Sequence, residues 1–144
     1  MIELHEKLVG HRRIDFDRKK LRKAVREGAK LVRREGRRLA GKKAGGGKAY
    51  RVWGDMLHKG SAPGEAPTKV TGTLQRSIFY RTLDDNGLSM SVGPAARRVF
   101  YARFLAAGTQ KMAARPFMGE ALERTESPVR DFLRAGLEES LTPR

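Results

Sequence analysis

Between positions 17 and 40 the chain places a small or apolar residue every three to four steps: Leu21, Ala24, Val25, Gly28, Ala29, Val32, Gly36 and Leu39. That spacing belongs to one face of an α-helix and fits no strand. Asp15 and Asp17 offer N-cap oxygens before it, and Gly41 stands where a C′ residue would turn with positive φ. A helix of this span runs about 36 Å. Its opposite face carries Arg18, Lys19, Arg22, Lys23, Arg26, Lys30, Arg33, Arg34, Arg37 and Arg38, interrupted by Glu27 and Glu35. Gly28 and Gly36 each cost a helix about 1 kcal/mol against alanine. Their place on the apolar face points to a second element approaching closely.

The charge on this helix dominates the whole molecule. The 144 residues hold 31 Lys and Arg against 16 Asp and Glu, a net charge of +15. Residues 1–48 alone carry 17 basic and 6 acidic side chains. Such a balance argues against an ordinary neutral metabolic enzyme and for a polyanionic or acidic partner. A solvated helix face is the plainer reading of the same run. There is no cysteine, hence no disulfide framework and no thiolate chemistry. No apolar run approaches the ~18 residues of a membrane span, so no membrane partner is expected. Residues 1–10 include Glu3 and Glu6 and lack an apolar stretch, so they do not read as a signal peptide.

The remaining sequence reads as loop, hairpin, short apolar element and helix. Residues 42–71 are rich in glycine and proline, with Gly45-Gly46-Gly47, Gly54, Gly60, Pro63, Gly64 and Pro67. They read as a long connection, mobile or ordered on assembly, with a short helical turn over 50–58. Trp53 within it is an anchor, either of a small satellite core or of an interface. From Leu74 the period becomes two, and Asp84-Asp85-Asn86-Gly87 is a strong turn signal. The expectation is a β-hairpin pairing 75–83 with 88–92. Residues 99–105 form a strand or a short helix, with Tyr101 and Phe104 in the core. Pro116 suits the first position of a last helix, whose apolar positions are Phe117, Ala121, Leu122, Val129, Phe132, Leu133 and Leu137. Pro128 is expected to kink or restart it. The fold class is α+β: a long basic N-terminal helix and a C-terminal helix packed on a small antiparallel sheet. Residues 1–16 read as an arm and 17–140 as a single domain.

Signatures of catalysis fail on detail. Gly45-Gly46-Gly47-Lys48 resembles part of a phosphate loop, but Ala49 replaces the Ser or Thr, Lys42 the first glycine, and a helix the preceding strand. His5, His11 and His58 lack metal-ligand spacing. Asp84 and Asp85 sit side by side in a turn and cannot flank a substrate. No serine stands in a nucleophile elbow. No catalytic residue, metal or cofactor is expected. A nucleic-acid partner stays open, but only through phosphate contacts, since neither aromatic spacing for base stacking nor a GxxG clamp is present.

Three segments carry a resemblance. The first runs Ser61-Ala62-Pro63-Gly64-Glu65-Ala66-Pro67, then Thr71-Gly72-Thr73-Leu74-Gln75-Arg76-Ser77-Ile78. The second is Val92-Gly93, Tyr101-Ala102-Arg103-Phe104 and Gly108-Thr109. The third is Met112-Ala113-Ala114-Arg115-Pro116-Phe117 with Ala121-Leu122. In this order they resemble the tail-completion, or head–tail joining, proteins of long-tailed phages and prophages, over residues 15–140. The chain departs from that pattern at Ala106 and Ala107, where the family often has an acidic residue and an aromatic, and in its longer loop 42–60.

The resemblance implies a structural virion protein of the neck rather than an enzyme. It would form a ring, a hexamer by resemblance, between the head connector and the tail tube or tail terminator. Its places would be the virion and, during assembly, the host cytoplasm. Candidate subunit contacts are Trp53, Pro63, Asp84, Asp85 and Arg115, the last able to pin a loop carbonyl or a neighbouring carboxylate. Arg18, Arg22, Arg26, Arg33, Arg34, Arg37 and Arg38 are candidates for contact with an acidic neighbouring ring or with DNA leaving the head. The alternatives are a non-specific architectural nucleic-acid binder, a tail terminator or a minor tail protein.

Overall fold

The computed structural model describes residues 16–141. The arm expected over 1–16, Phe16 apart, lies outside the described residues. The order is α1 (Arg18–Leu39), β1 (Ala49–Trp53), β2 (Met56–Lys59), α2 (Thr73–Ser77), β3 (Ile78–Thr82), β4 (Met90–Pro94), α3 (Ala102–Ala107) and α4 (Phe117–Leu141). This is an α+β molecule with the long basic helix first and a long helix last.

α1 begins as its sequence dictates. Asp17 caps it, its Oδ1 accepting from the Lys19 N–H at 3.0 Å. Its buried positions are Ala24, Gly28, Ala29, Val32, Gly36 and Leu39, the expected stripe. The C-terminus differs. Gly41 does not take positive φ; a methyl there would instead collide with the Gln75 side chain, which donates to the Arg37 carbonyl at 3.1 Å. Space, rather than dihedral freedom, calls for glycine at this position.

α4 runs antiparallel to α1. At one end the Asp17 N–H donates to the Ser140 carbonyl and Lys20 Nζ to that of Glu139, both at 3.0 Å. At the other, Met118 lies on Gly36. The close approach expected of Gly28 and Gly36 is present: added methyls would press on Val129 and Met118. Gly136 is tighter still, since a methyl there would overlap Ala24. Thr125 and Ser140, buried on the same seam, donate to the Ala121 and Leu137 carbonyls of their own helix at 2.7 Å. Their hydroxyls thus enter the contact already satisfied. Pro128 lies inside α4 without dividing it into two elements.

Two expectations about the sheets are corrected. The strand expected from 75 starts only at Ile78, because Thr71-Gly72-Thr73 opens a helical turn: Gly72 adopts φ +77°, and the Thr73 N–H bonds to Thr71 Oγ1 at 3.3 Å. β3 and β4 then pair antiparallel from Ile78↔Pro94 to Thr82↔Met90. The long connection also holds a hairpin, where a short helical turn was expected over 50–58. β1 and β2 pair from Ala49↔Lys59 to Trp53↔Met56, with an irregularity between Arg51 and Trp53. Gly54, at φ +55°, makes their two-residue turn with Asp55. Gly47 N–H to Gly60 O at 2.9 Å and Gly60 N–H to Lys48 O at 3.0 Å continue the ladder. Glu65 accepts from the Gly46 and Ala62 N–H groups, and these bonds hold its carboxyl below the usual range.

The core is small and gathers at the junction of α1's end with α4's start. It joins Leu39 and Ala40 to Ala66, Leu74, Ile78, Val99, Ala102, Phe117 and Ala121. From the three segments that carry the resemblance come Ala66, Leu74, Ile78, Ala102, Phe117 and Ala121, so those segments meet in space. Tyr101 and Phe104, expected inside, are exposed; Val99 and Ala102 take the interior positions of that stretch. A helical turn there aims only one side at Phe117, and the aromatics fall on the other.

Candidate interaction surfaces

The basic face of α1 divides into arginines that brace the fold and arginines that do not. Arg22 donates through Nε to the Asn86 carbonyl at the tip of the second hairpin. Arg33 stacks on the Tyr80 ring, 5.0 Å from its centroid. Arg37 Nε reaches the Ile78 carbonyl at 3.0 Å. Arg38 pairs with Glu35 at 2.5 Å, and Arg124 of α4 approaches the same carboxylate at 3.7 Å. The Arg38 guanidinium holds the Glu35 carboxyl below its usual range. Of the seven candidate arginines, Arg18, Arg26 and Arg34 make no hydrogen bond or ion pair with another described residue. With Lys19 and Lys23 they form an exposed cationic strip.

The other candidates also separate. Asp84 is occupied within the turn: its Oδ1 accepts from the Leu88 and Ser89 N–H groups at 3.1 and 3.0 Å. Asp85 beside it is exposed. Pro63 is exposed. Trp53, 58% exposed at the first hairpin's tip, anchors no satellite core. Arg115 does pin a loop carbonyl: Nη2 donates to Ser61 O at 3.1 Å within the chain. Of the two roles expected for it, the loop carbonyl is the one seen within the chain.

Besides Phe79 and Leu83 of the second hairpin, three clusters of large apolar side chains lie in water. On the first hairpin these are Tyr50, Trp53, Met56 and Leu57, the last 69% exposed. At α3 they are Phe100, also 69% exposed, with Tyr101 edge-on to it, and Phe104 beneath the Arg103 guanidinium. On α4 they are Leu122, Phe132, Leu133, Leu137 and Leu141. The spacing of Leu122, Phe132, Leu133 and Leu137 placed them on the stripe expected to be buried. Their exposure follows from the partner helix. α1 presents alanines and glycines, so the two backbones approach closely and seat only small groups between them, and the larger side chains fall outside the seam. That mismatch between a small-residue stripe and a bulky one is legible in the sequence, and it is the signal that the periodicity alone did not use. Leu57, Phe100 and Leu141 were not among the candidate contacts; Phe100 stands in a run with no acidic residue from Gly87 to Gly119.

Exposed apolar clusters of this kind mark surfaces that meet another molecule. Among the described residues no group of three or more His, Cys, Asp or Glu could hold a metal ion, and no helix is long and apolar enough to cross a membrane. No family model matches the chain, and neither a curated protein nor a solved structure matches it.

Proposed function

We propose that this protein is a structural component of a phage or prophage neck, a tail-completion or head–tail joining protein that assembles as a ring between head connector and tail tube. Its work is binding rather than catalysis. The observation that carries the reading is the apolar surface left open in three separate clusters of so small a molecule. A subunit of a closed ring needs two different contact faces, one for each neighbour, and more for the rings above and below. The three resembling segments also meet in one core, as parts of a single shared unit would. The unbraced strip of Arg18, Arg26 and Arg34 suits an acidic neighbouring ring, and its charge keeps free subunits apart until they meet a partner.

The same strip favours a second reading, non-specific binding to duplex DNA through phosphates. That reading predicts affinity that collapses between ~50 and ~200 mM salt. Light scattering of the purified chain, alone and with tail-tube protein, separates the two. The expected result is a ring-sized multiple of the chain mass, either at once or when the partner is added. A monomer under both conditions that retards DNA at moderate salt would replace the neck reading with the second.

A further inference from the structure

A cleft of about 620 Å³ opens between the first hairpin with its proline segment and the wall made by α2 and α3. Its size is that of a ligand site. Most of its wall is carbon, including Leu74, Leu105 and the rings of Tyr50 and Tyr101, both of them exposed at its edge. Three cations line it, Lys48, Lys69 and Arg115, and no carboxylate does. Glu65, on the proline segment itself, is occupied by the N–H groups of Gly46 and Ala62.

Arg115 gives the cleft its direction. Its Nη2 is tied to Ser61 O at 3.1 Å, so the guanidinium is fixed in place. Its Nε is buried and has no hydrogen-bond partner among the described residues. No carboxylate among the described residues pairs with this guanidinium, and an incoming one would supply the missing counter-charge on its cleft side. A guanidinium edge matches a carboxylate in shape as well as charge.

We propose that this cleft seats a short extended segment of a partner protein in which a carboxylate side chain neighbours an apolar one. The carboxylate meets Arg115 and Lys69, and the apolar side chain lies against Tyr50, Tyr101 and Leu105. The carbon walls favour a peptide, with its apolar side chains, over a nucleic acid, whose backbone would meet mostly carbon here. The proposal asks only for a protein partner and holds whether or not the subunits close into a ring.

The test uses the full chain and a fluorescein-labelled peptide of alternating Leu and Glu, read by anisotropy at low salt. The expected Kd is below about 1 mM, with a Leu–Gln peptide at least about tenfold weaker. The double variant Lys48→Gln, Lys69→Gln leaves the structural bonds of Arg115 in place and should weaken binding by about tenfold, with an unchanged circular dichroism spectrum. Arg115→Gln should abolish it. Replacing Arg18, Arg26 and Arg34 by alanine should change it less than about twofold. Equal binding of the Glu and Gln peptides overturns the proposal, as does full binding by the lysine double variant. Loss of binding in the α1 variant would move the site to the basic helix. Binding of a single-stranded oligonucleotide in place of the peptide would assign the cleft to nucleic acid.

Discussion

Where α1 ends and α4 begins, the contact is built from large side chains. Phe117, Leu39, Ile78 and Val99 are its biggest fully buried members. Where the same two helices meet again, at α1's start and α4's end, the seam is made of Ala24, Gly28, Gly136 and Ser140. There Phe132, Leu133, Leu137 and Leu141 face water. Both ends bring the helices together, but by different physics. The first excludes water from bulky carbon. The second depends on close backbone approach and dispersion contact, and it leaves its larger apolar side chains exposed. A single helix pair therefore forms a core at one end and leaves a bulky apolar face exposed at the other.

This contrast can be broken from either side. Phe117→Ala removes the anchor of the first end and should cost about 3–5 kcal/mol in urea unfolding; a loss below about 1 kcal/mol would mean that the core lies elsewhere. Gly136→Ala attacks the second end by wedging the helices apart at Ala24, with an expected cost of about 1–3 kcal/mol. A neutral result there would show that the seam is looser than its geometry.

The loop that closes over the core end should respond to acid. The carboxyls of Glu35 and Glu65 are both held below the ordinary glutamate value of about 4.3. Their stabilising effect is therefore complete above that value and is lost as pH falls through the lower, folded-state values. The thermal midpoint of the native chain should drop more steeply between about pH 6 and about pH 3 than that of Glu65→Gln. Parallel curves would remove Glu65 from the account. The smallest effect on the protomer is expected for Leu133→Ser with Leu137→Ser, a change within about 0.5 kcal/mol. The same pair should lower the assembled mass seen by light scattering, and an unchanged assembly would take α4 out of the interface.

Much of this was legible along the chain. The period of α1 named its buried stripe, and Asp17 named its start. Asp84-Asp85-Asn86-Gly87 located the second hairpin's turn, where Gly87 adopts φ +70°. The first hairpin was obscured because Gly45-Gly46-Gly47 and the prolines around it read as loop, while its own turn, Gly54-Asp55, is equally a hairpin signal. Its ladder bonds use the glycine backbones themselves, which side-chain patterning does not display. Among the candidate contact residues, charge singled out the α1 arginines, but not which of them are braced.

What the sequence determined by itself is local: helix period, caps, turn residues and the uneven placement of charge, each set by neighbours a few positions away. Two matters were decided only by the fold. One is the division of the α1 arginines, since Arg22, Arg33 and Arg37 find their partners on a hairpin some forty or more positions along the chain. The other is the division of α4's apolar residues into buried and exposed. A helical period shows which side chains share a face, but how far that face is covered depends on the volume its partner supplies. Here, toward α1's start, the partner offers Ala24, Gly28 and Ala29, too slight to cover leucine and phenylalanine.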